Sequence, residues 1–191
     1  MELLKKRICE NGKVIGEDIL KVDSFLNHQM DVQLFQEIGK EFKRRFEAEK
    51  ITKILTVESS GIGVACITAQ YFDNVPVVFA KKYQARNMAA DVYESKVFSY
   101  TKGTEYHIRV DKEYLKPEDN VLIIDDFLAK GSAVAGLLDI VGQAGARVAG
   151  VGIVIEKSFQ EGRETILKKN VRLESLARIQ ALTGGKSTFA D

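Results

Sequence analysis

Short apolar runs alternate with segments of helical spacing through the middle of the chain. The runs predict four β-strands, of which the third is apolar enough to be buried on both faces: residues 51–57, 75–82, 120–126 and 146–157. Two intervening segments predict helices, at residues 64–72 and 133–145, and Gly145 is placed to end the second helix. Strands that alternate with helices predict an α/β fold in which a twisted parallel sheet is flanked by helices.

Two further stretches predict elements outside this alternation. Residues 31–49 predict a helix with Asp31 as its N-cap, because apolar side chains recur at helical spacing, at Phe35, Ile38, Phe42 and Phe46. On either side of Gly103, the segments KVFSYTK and TEYHIRV alternate polar and apolar residues. This alternation predicts a β-hairpin.

The remaining segments predict a lid and a cap on a single domain. Residues 83–94 show no clear period and predict a mobile loop, so we expect a flexible lid at about residues 83–103. The segment VRLESLARI alternates near the C-terminus and, with residues 1–30, predicts a small cap over the sheet. We therefore expect one domain over residues 1–191, divided into a core at about residues 31–160 and a cap from about residues 1–30 and 161–191.

Charge and composition exclude several classes of function. Of 191 residues, 28 are basic and 27 are acidic, and a formal charge of +1 disfavours a general nucleic-acid binder. Two cysteines make no disulfide framework, and two histidines exclude a His-rich metal centre. The charged N-terminal segment lacks a signal-peptide core, and the longest apolar stretch, at residues 148–155, is too short to span a bilayer. We expect a cytoplasmic protein with no nucleic-acid or membrane partner.

The segment VLIIDDFLAKGSA, at residues 121–133, carries the most informative chemistry. A buried strand would deliver Asp125 and Asp126 to its carboxyl end, and the next turn would open a helix. The free N–H groups of a helix N-terminus, a flexible Gly131 and the Ser132 hydroxyl suit a phosphate, while carboxylates accept hydrogen bonds from a diol. This combination fits a ribose 5-phosphate. The residues alone leave open an ordinary strand end followed by a capped helix.

The same segment resembles the phosphoribosyl-pyrophosphate signature of the type I phosphoribosyltransferases, in which two acids precede a loop of small residues. Further segments resemble, in family order, the bacterial branch that acts on xanthine: VDSFLNHQMD, TVESSGIG, FSYTKGTEYHI, GIVIEKSFQEGR and ESLARIQ. The likeness covers nearly the whole chain. It implies the fold of that family and an enzyme of purine salvage, which transfers the 5-phosphoribosyl group from 5-phosphoribosyl 1-diphosphate to xanthine and yields XMP and diphosphate.

The resemblance also implies roles for the residues that hold the sugar and its phosphates. Asp125 and Asp126 would be the catalytic pair, holding the ribose hydroxyls and stabilising the positive charge of the sugar ring. One loop would bind the 5-phosphate, through Ala129, Lys130, Gly131, Ser132 and Ala133. A second loop and a strand end would bind the diphosphate, through Glu58, Ser59, Ser60, Gly61, Lys81 and Lys82.

The base pocket, the cofactor and the partners follow from the same resemblance. Leu20, Asn27 and Lys157 would bind xanthine, with Lys157 donating to the oxygen at position 6 and Asn27 facing position 2. We expect Mg²⁺ held mainly by the substrate, guanine as a weaker substrate, and a homodimer. Two alternatives stay open: a hypoxanthine and guanine phosphoribosyltransferase, and a regulator that binds 5-phosphoribosyl 1-diphosphate to control purine genes.

Overall fold

A computed structural model describes residues 1–82, 91–99 and 103–190 of the chain. The α-helices, α1 to α5, are Glu2–Asn11, Val32–Arg45, Gly61–Ala69, Ser132–Gln143 and Gly162–Leu167. The β-strands, β1 to β10, are Lys13–Ile15, Ile19–Lys21, Lys53–Val57, Val77–Ala80, Val92–Ser99, Thr104–Asp111, Asn120–Leu128, Arg147–Lys157, Leu173–Thr183 and Lys186–Phe189. A π-helical turn, Asp23–Asn27, lies between β2 and α2.

Six of these strands form the central sheet, in the order β10–β9–β8–β7–β3–β4. Neighbouring strands run parallel, except that β9 and β10 form an antiparallel hairpin. The chain winds outward from β3 to β4 on one side and from β7 to β8 and β9 on the other. The direction of winding therefore reverses between β3 and β7, and in open α/β sheets ligands bind beyond the carboxyl ends of the strands at such a point.

Apolar side chains on the two faces of the sheet build two separate cores. On β7, Leu122 and Ile124 belong to the core that includes α1, α2 and α3. Val121 and Ile123 belong to the other core, which includes α4 and the β5–β6 hairpin. Alternate residues of a strand point to opposite faces, so the continuous apolar run is buried on both sides, as the sequence predicted.

The α2 helix packs directly on the backbone of β8. Asp31 Oδ1 accepts a hydrogen bond at 3.0 Å from a backbone N–H group of the first turn, which confirms it as the N-cap. The rings of Phe42 and Phe46 lie over Gly152 and Gly150, where an added Cβ would approach the ring atoms to 2.8 Å and 2.5 Å. The two glycines therefore make room for the two aromatic rings.

The structure moves several predicted boundaries. The helix predicted at residues 64–72 begins earlier, at Gly61, and the strand predicted to end at Asp126 continues to Leu128. The placement of VRLESLARI in a cap is wrong. Its residues 173–179 lie in β9 of the central sheet, where they pair in parallel with β8, whose edge would otherwise be open.

The structure describes residues 1–30 of the predicted cap and part of the predicted lid. Residues 1–30 contain α1 and the β1–β2 hairpin, and the Met1 ammonium donates to Leu176 O of β9 at 2.5 Å. Of the predicted lid, residues 83–90 and 100–102 lie outside the described residues. Residues 92–94, predicted as loop, belong to β5, and the predicted hairpin is confirmed by the antiparallel pairing of β5 with β6. Within the described ranges, none of the helices is both long and apolar enough to pass through a bilayer.

Gly150→Ala should lower the free energy of unfolding by about 1–3 kcal/mol, the usual cost of overpacking a core. The reason is that the new methyl group would meet the Phe46 ring at 2.5 Å. Gly142→Ala in α4 is the matched control, because no described atom outside its own helical turn lies within 4 Å of its Cβ position. That control should gain about 0.5–1 kcal/mol from helix propensity. Urea denaturation measures both, and equal stabilities would contradict this packing.

Candidate functional site

The carboxyl ends of three adjoining strands meet at one edge of the sheet. Residues 58–61 follow β3, residues 129–131 follow β7, and Lys157 is the last residue of β8. Because β3, β7 and β8 are parallel neighbours, the two loops predicted to bind diphosphate and 5-phosphate lie on this edge together with Lys157, one of the predicted base contacts. It is also where the winding of the sheet reverses.

The carboxylate pair lies inside β7, just before the strand ends. Asp125 and Asp126 are only 5% and 8% exposed. Asp126 N donates to Asp125 Oδ1, and Phe127 N donates to Asp126 Oδ1, each at 3.0 Å. Burial, and then the negative charge of Asp126, raise the pKa of Asp125 well above its ordinary value. The ligand-free site therefore disfavours the ionised form of Asp125.

The start of α3 closes tightly against Asp125. A Cβ added at Gly61 would lie 2.2 Å from Thr56 Oγ1 and 3.3 Å from Asp125 Oδ1, so only glycine fits at this position. The Thr56 hydroxyl is buried and has no hydrogen-bond partner among the described residues. Gly61, the Thr56 hydroxyl and the Asp125 carboxylate thus lie close together.

Lys82 and Tyr106 extend this group toward the hairpin. The Glu58 carboxylate accepts a hydrogen bond from Lys82 N, and Lys82 Nζ lies 5.6 Å from the centre of the Tyr106 ring. Burial, followed by the charge of Asp125, raises the pKa of Tyr106. Lys82 also acts on Asp125, since its positive charge favours the ionised carboxylate. A cation and a phenol therefore flank the buried carboxylates.

Lys81 faces a different part of the molecule from its neighbour. Its backbone bridges Arg109 of β6, and its side chain lines a cavity of about 650 Å³ at the outer edge of β4. That cavity also includes Phe79 and Tyr114. Of the two lysines predicted together as diphosphate contacts, Lys81 lines this cavity, whereas Lys82 is the one whose charge acts on Asp125.

The loop after β7 is shaped by glycine. Gly131 adopts φ +84° and caps the N-terminus of α4, a left-handed conformation that favours glycine. A Cβ there would also come within 3.3 Å of the Gly162 backbone. Gly162 N donates to Ala129 O at 3.0 Å, and Lys130 Nζ lies 3.6 Å from Glu161 Oε1. The sequence predicts a glycine at position 131 because the backbone must approach a ligand closely. The structure adds a second reason, which is the close approach of Gly131 to α5.

One pocket of about 630 Å³ joins this loop to Lys157. Its walls include residues 128–134, which bring the first turn of α4 with its free N–H groups. Three aromatic residues also line it: Phe98, Tyr106 and Phe127. An anion-binding end and an aromatic end in one pocket suit a phosphorylated compound that carries a flat ring.

Lys157 lies at the aromatic end of the pocket. Its Nζ donates to Asp18 O at 2.5 Å and lies 6.0 Å from the centre of the Phe127 ring. Burial lowers the pKa of Lys157, and the charge of Asp18 opposes that effect. The ammonium therefore already holds a carbonyl oxygen, which is the kind of acceptor that a purine with an oxygen at position 6 would present.

The other two predicted base contacts do not line this pocket. Leu20 is buried in the core, and its Cδ1 is 3.2 Å from the Cβ position of Gly12 at the end of α1. Asn27 is exposed at the end of the π-helical turn. Their neighbours Asp18 and Ile19 line the pocket instead. No pattern in the sequence singles out those two residues.

Sequence reasoning also missed the aromatic lining. Phe127 directly follows the carboxylate pair, and Tyr106 lies on one alternating face of the predicted hairpin. Both residues belong to patterns that the sequence shows, but neither pattern indicates a ligand. The reason is that Phe98, Tyr106 and Phe127 come together only when the hairpin packs beside β7 and α4.

A model of the phosphoribosyl transferase domain family matches residues 22–181. The chain is 66% identical over 189 residues to the xanthine phosphoribosyltransferase of Clostridium novyi, with 99% of each chain covered. It is 60% identical over 189 residues to that of Clostridium tetani, covering 99% of this chain and all of the relative. It is 59% identical over 191 residues to that of Ruminiclostridium cellulolyticum, with both chains fully covered.

Solved structures of similar fold are adenine phosphoribosyltransferases. The Trypanosoma brucei enzyme, in complex with AMP, pyrophosphate and ribose-5-phosphate, has a TM-score of 0.76 and 21% identity, covering 92% of this chain and 79% of that one. The Rhodothermus marinus enzyme has a TM-score of 0.74 and 20% identity, covering 94% and 100%. At such low identity these structures show the fold alone, and they confirm the predicted α/β architecture.

Asp125→Asn should stabilise the ligand-free protein at neutral pH. An acid whose folded-state pKa lies above its unfolded-state value costs stability when it ionises, so the cost grows as pH rises above the ordinary carboxyl pKa of about 3.9 and levels off above the folded-state pKa. The substitution removes that cost. Denaturation of both proteins between about pH 4 and about pH 8 measures the difference. A gain in stability that shrinks as pH rises would contradict the raised pKa.

Proposed function

The chain belongs to the phosphoribosyltransferase family, and we propose that it transfers the 5-phosphoribosyl group of 5-phosphoribosyl 1-diphosphate to xanthine. The products are XMP and diphosphate, as in purine salvage. The observation that carries this proposal is the pocket that joins the loop after β7 to Lys157; its lining includes Phe127, the residue directly after the buried carboxylate pair. The shared name of the close relatives supports xanthine as the base.

The reaction mainly requires that the two reactants be aligned and that the developing charges be neutralised. A ring nitrogen of the base forms a bond to C1 of the ribose while the bond from C1 to the diphosphate oxygen breaks. The electron pair leaves with the diphosphate, and the nitrogen loses its proton. Positive charge builds on the sugar ring in between. The protein must therefore align two reactants, stabilise opposite charges at both ends and exclude water.

The loop after β7 is suited to the 5-phosphate. The first N–H groups of α4 have no partners within the helix, and the positive end of the helix dipole favours an anion. Ser132 adds a hydroxyl donor and Lys130 a cation, and both line the pocket. Binding the phosphate here would place the ribose over the carboxyl end of β7, next to Asp125 and Asp126.

The carboxylate pair is suited to the sugar. Asp125 and Asp126 would accept hydrogen bonds from the ribose hydroxyls and stabilise the positive charge that develops on the ring. The fold disfavours ionisation of Asp125 in the absence of ligand, and positive charge beside it would favour the ionised form. The ionised carboxylate would then interact more strongly with a cationic transition state than with the neutral ground state. This differential interaction is what lowers a barrier.

The donor chemistry of the pair also fits Mg²⁺. This ion takes oxygen ligands and is commonly bound by one or two carboxylates together with substrate phosphates. In the part of the chain that the structure describes, no group of three or more Asp, Glu, His or Cys side chains converges, so substrate oxygens would supply most of the ligands. When bound, the ion would neutralise charge on the diphosphate. Asp125 and Asp126 would hold it in direct contact or through the hydroxyls.

The aromatic end of the pocket is suited to a purine. Phe127 offers a ring face, and Lys157 would exchange Asp18 O for the oxygen at position 6 of the base. An ammonium only donates, so it favours a 6-oxopurine over adenine, which carries an amine at that position. Hypoxanthine and guanine share the oxygen, and a phosphoribosyltransferase for those bases is the second candidate. The contact of Asn27 with position 2 is supported by the resemblance alone.

We also propose a homodimer and a cytoplasmic location. At the outer edge of β4, Phe79 is 37% exposed and Tyr114 is 55% exposed, beside Lys81. Exposed apolar side chains next to the last strand of a sheet are typical of a surface that a partner covers. Cys9 and Cys66 are both free and exposed, which suits a reducing compartment.

Substituting the carboxylate pair should affect turnover. We expect the double variant Asp125→Asn, Asp126→Asn to lower kcat/KM by about 100-fold or more, because it keeps the shape but removes two negative charges that face a positive transition state. Steady-state kinetics with saturating xanthine measure the loss. Turnover near that of the unsubstituted enzyme would exclude the pair from the mechanism.

Release of diphosphate should require both 5-phosphoribosyl 1-diphosphate and a 6-oxopurine, with xanthine as the best base. Lys157→Met should lower kcat/KM at least about tenfold for xanthine and guanine alike, because an unpaired carbonyl left in the pocket costs about 1–3 kcal/mol. The control is Lys168→Met, at an exposed lysine just after α5 that forms an ion pair with Glu164. Binding of the sugar diphosphate without any release would favour the regulator, and an equal loss in both variants would exclude Lys157 as the base contact.

A further inference from the structure

Glu156 is a fully buried carboxylate for which the proposed mechanism has no use. It precedes Lys157 on β8, so the two side chains point to opposite faces of the sheet. On the neighbouring strand it pairs with Leu128, the last residue before the phosphate-binding loop. A buried charge is costly unless it is paired and fully hydrogen-bonded, so its partners define what it can do.

The partners of Glu156 come from three segments. Arg163 of α5 donates twice, from Nε to Oε1 and from Nη2 to Oε2, each at 2.8 Å. Ser158 Oγ donates at 2.9 Å from the turn after β8. Ser175 Oγ and Arg178 Nε donate from β9, the latter at 3.4 Å. Burial alone would raise the pKa of Glu156, but these bonds outweigh it and hold the pKa below its ordinary value.

The bidentate contact of Glu156 with Arg163 is connected, through Gly162, to residues 129–131, the loop after β7 that we propose binds the 5-phosphate. Arg163 is preceded by Gly162, the first residue of α5, whose N–H group donates to Ala129 O at 3.0 Å. A Cβ at Gly162 would lie 2.3 Å from that same oxygen, and the Cβ position of Gly131 is 3.3 Å from Gly162 Cα. The start of α5 and the loop after β7 are therefore in close backbone contact, with no room for a side chain between them.

We propose that Glu156 is a positioning residue: through Arg163 it fixes the start of α5, and α5 in turn holds residues 129–131 in the shape that receives the 5-phosphate. This inference rests on the proposed function of that loop. Because Glu156 and Lys157 are consecutive on one strand, the same contact also ties the loop to the residue that would bind the base. The distance between the two ends of the pocket is thereby set by one buried carboxylate.

A purely stabilising role would need no such geometry. Apolar side chains of similar volume often replace a buried ion pair without loss of stability. Apolar side chains cannot supply directed hydrogen bonds, which fix the position and orientation of α5 relative to β8 and β9. A shift of the loop by about 1 Å is enough to cost about 100-fold when it misplaces a reacting group.

The experiment compares Arg163→Met, Arg163→Lys and Glu156→Gln with the unsubstituted enzyme. Calorimetric titration gives the Kd for 5-phosphoribosyl 1-diphosphate without any turnover, and steady-state kinetics give KM and kcat. We expect Arg163→Met and Glu156→Gln to raise Kd and KM for that substrate about tenfold or more, with kcat changed less. Arg163→Lys keeps the cation but loses the two-bond contact, so it should restore part of the affinity.

A matched control separates positioning from stability. Asp119 pairs with Lys53 at 2.8 Å and also accepts from Thr52, with the pair about 10% exposed, at the amino ends of β3 and β7. Asp119→Asn should lower Tm and leave Kd unchanged. If Arg163→Met lowers Tm but leaves Kd unchanged in the same way, the positioning role is overturned. If the unsubstituted enzyme binds the sugar diphosphate but releases none with any purine, the proposed function fails while the Kd comparison still decides the role of Glu156.

Discussion

Two consecutive carboxylates in β7, one of the two central strands of the six-stranded sheet, constrain the site around them. Asp125 and Asp126 are nearly buried, and the pKa of Asp125 is raised because burial and a like charge oppose its ionisation. The fold tolerates this because β7 is hydrogen-bonded to β3 on one side and β8 on the other, with an apolar core on each face. Stability from the cores thus maintains an electrostatically unfavourable site, as is common where function requires it.

The rest of the site is arranged around that pair by the order of the strands. The loop after β3 closes on Asp125 at Gly61, the loop after β7 presents helix N–H groups, and β8 ends at Lys157. Under the proposed function, the diphosphate, the 5-phosphate and the base would bind in that order along one edge. The chemistry of the ligand is matched by the topology of the sheet, since only adjoining parallel strands bring three such ends together.

Much of this could be predicted from the sequence where the signal is local. The apolar run before Asp125, the cap at Asp31 and the alternation around Gly103 each depend on neighbours along the chain, and each is present in the structure. The resemblance of the motifs placed the chain in its family before any fold was known. Local chemistry and family order therefore account for the architecture and for the segments of the site.

What could not be predicted depends on contacts between distant segments. VRLESLARI alternates but joins the central sheet, because β8 offers an edge whose paired residues lie 22 positions earlier in the chain, as in Val151 with Leu173. Leu20 was placed in the base pocket by resemblance, yet it packs on Gly12 in the core, while Asp18 reaches Lys157 across the fold. The sequence alone indicates no role for Glu156, because its ion pair with Arg163 forms only when the chain folds.

The most direct test of the central claim is a count of protons released when the ligand binds. Titration calorimetry of 5-phosphoribosyl 1-diphosphate with Mg²⁺, repeated in buffers of different ionisation enthalpy between about pH 5 and about pH 8, gives that number. If Mg²⁺ bound with the ligand offsets the negative charge of the buried pair, the pKa of Asp125 falls and the enzyme should release protons on binding. Asp125→Asn should release markedly fewer. Equal proton release by the two proteins would contradict the account.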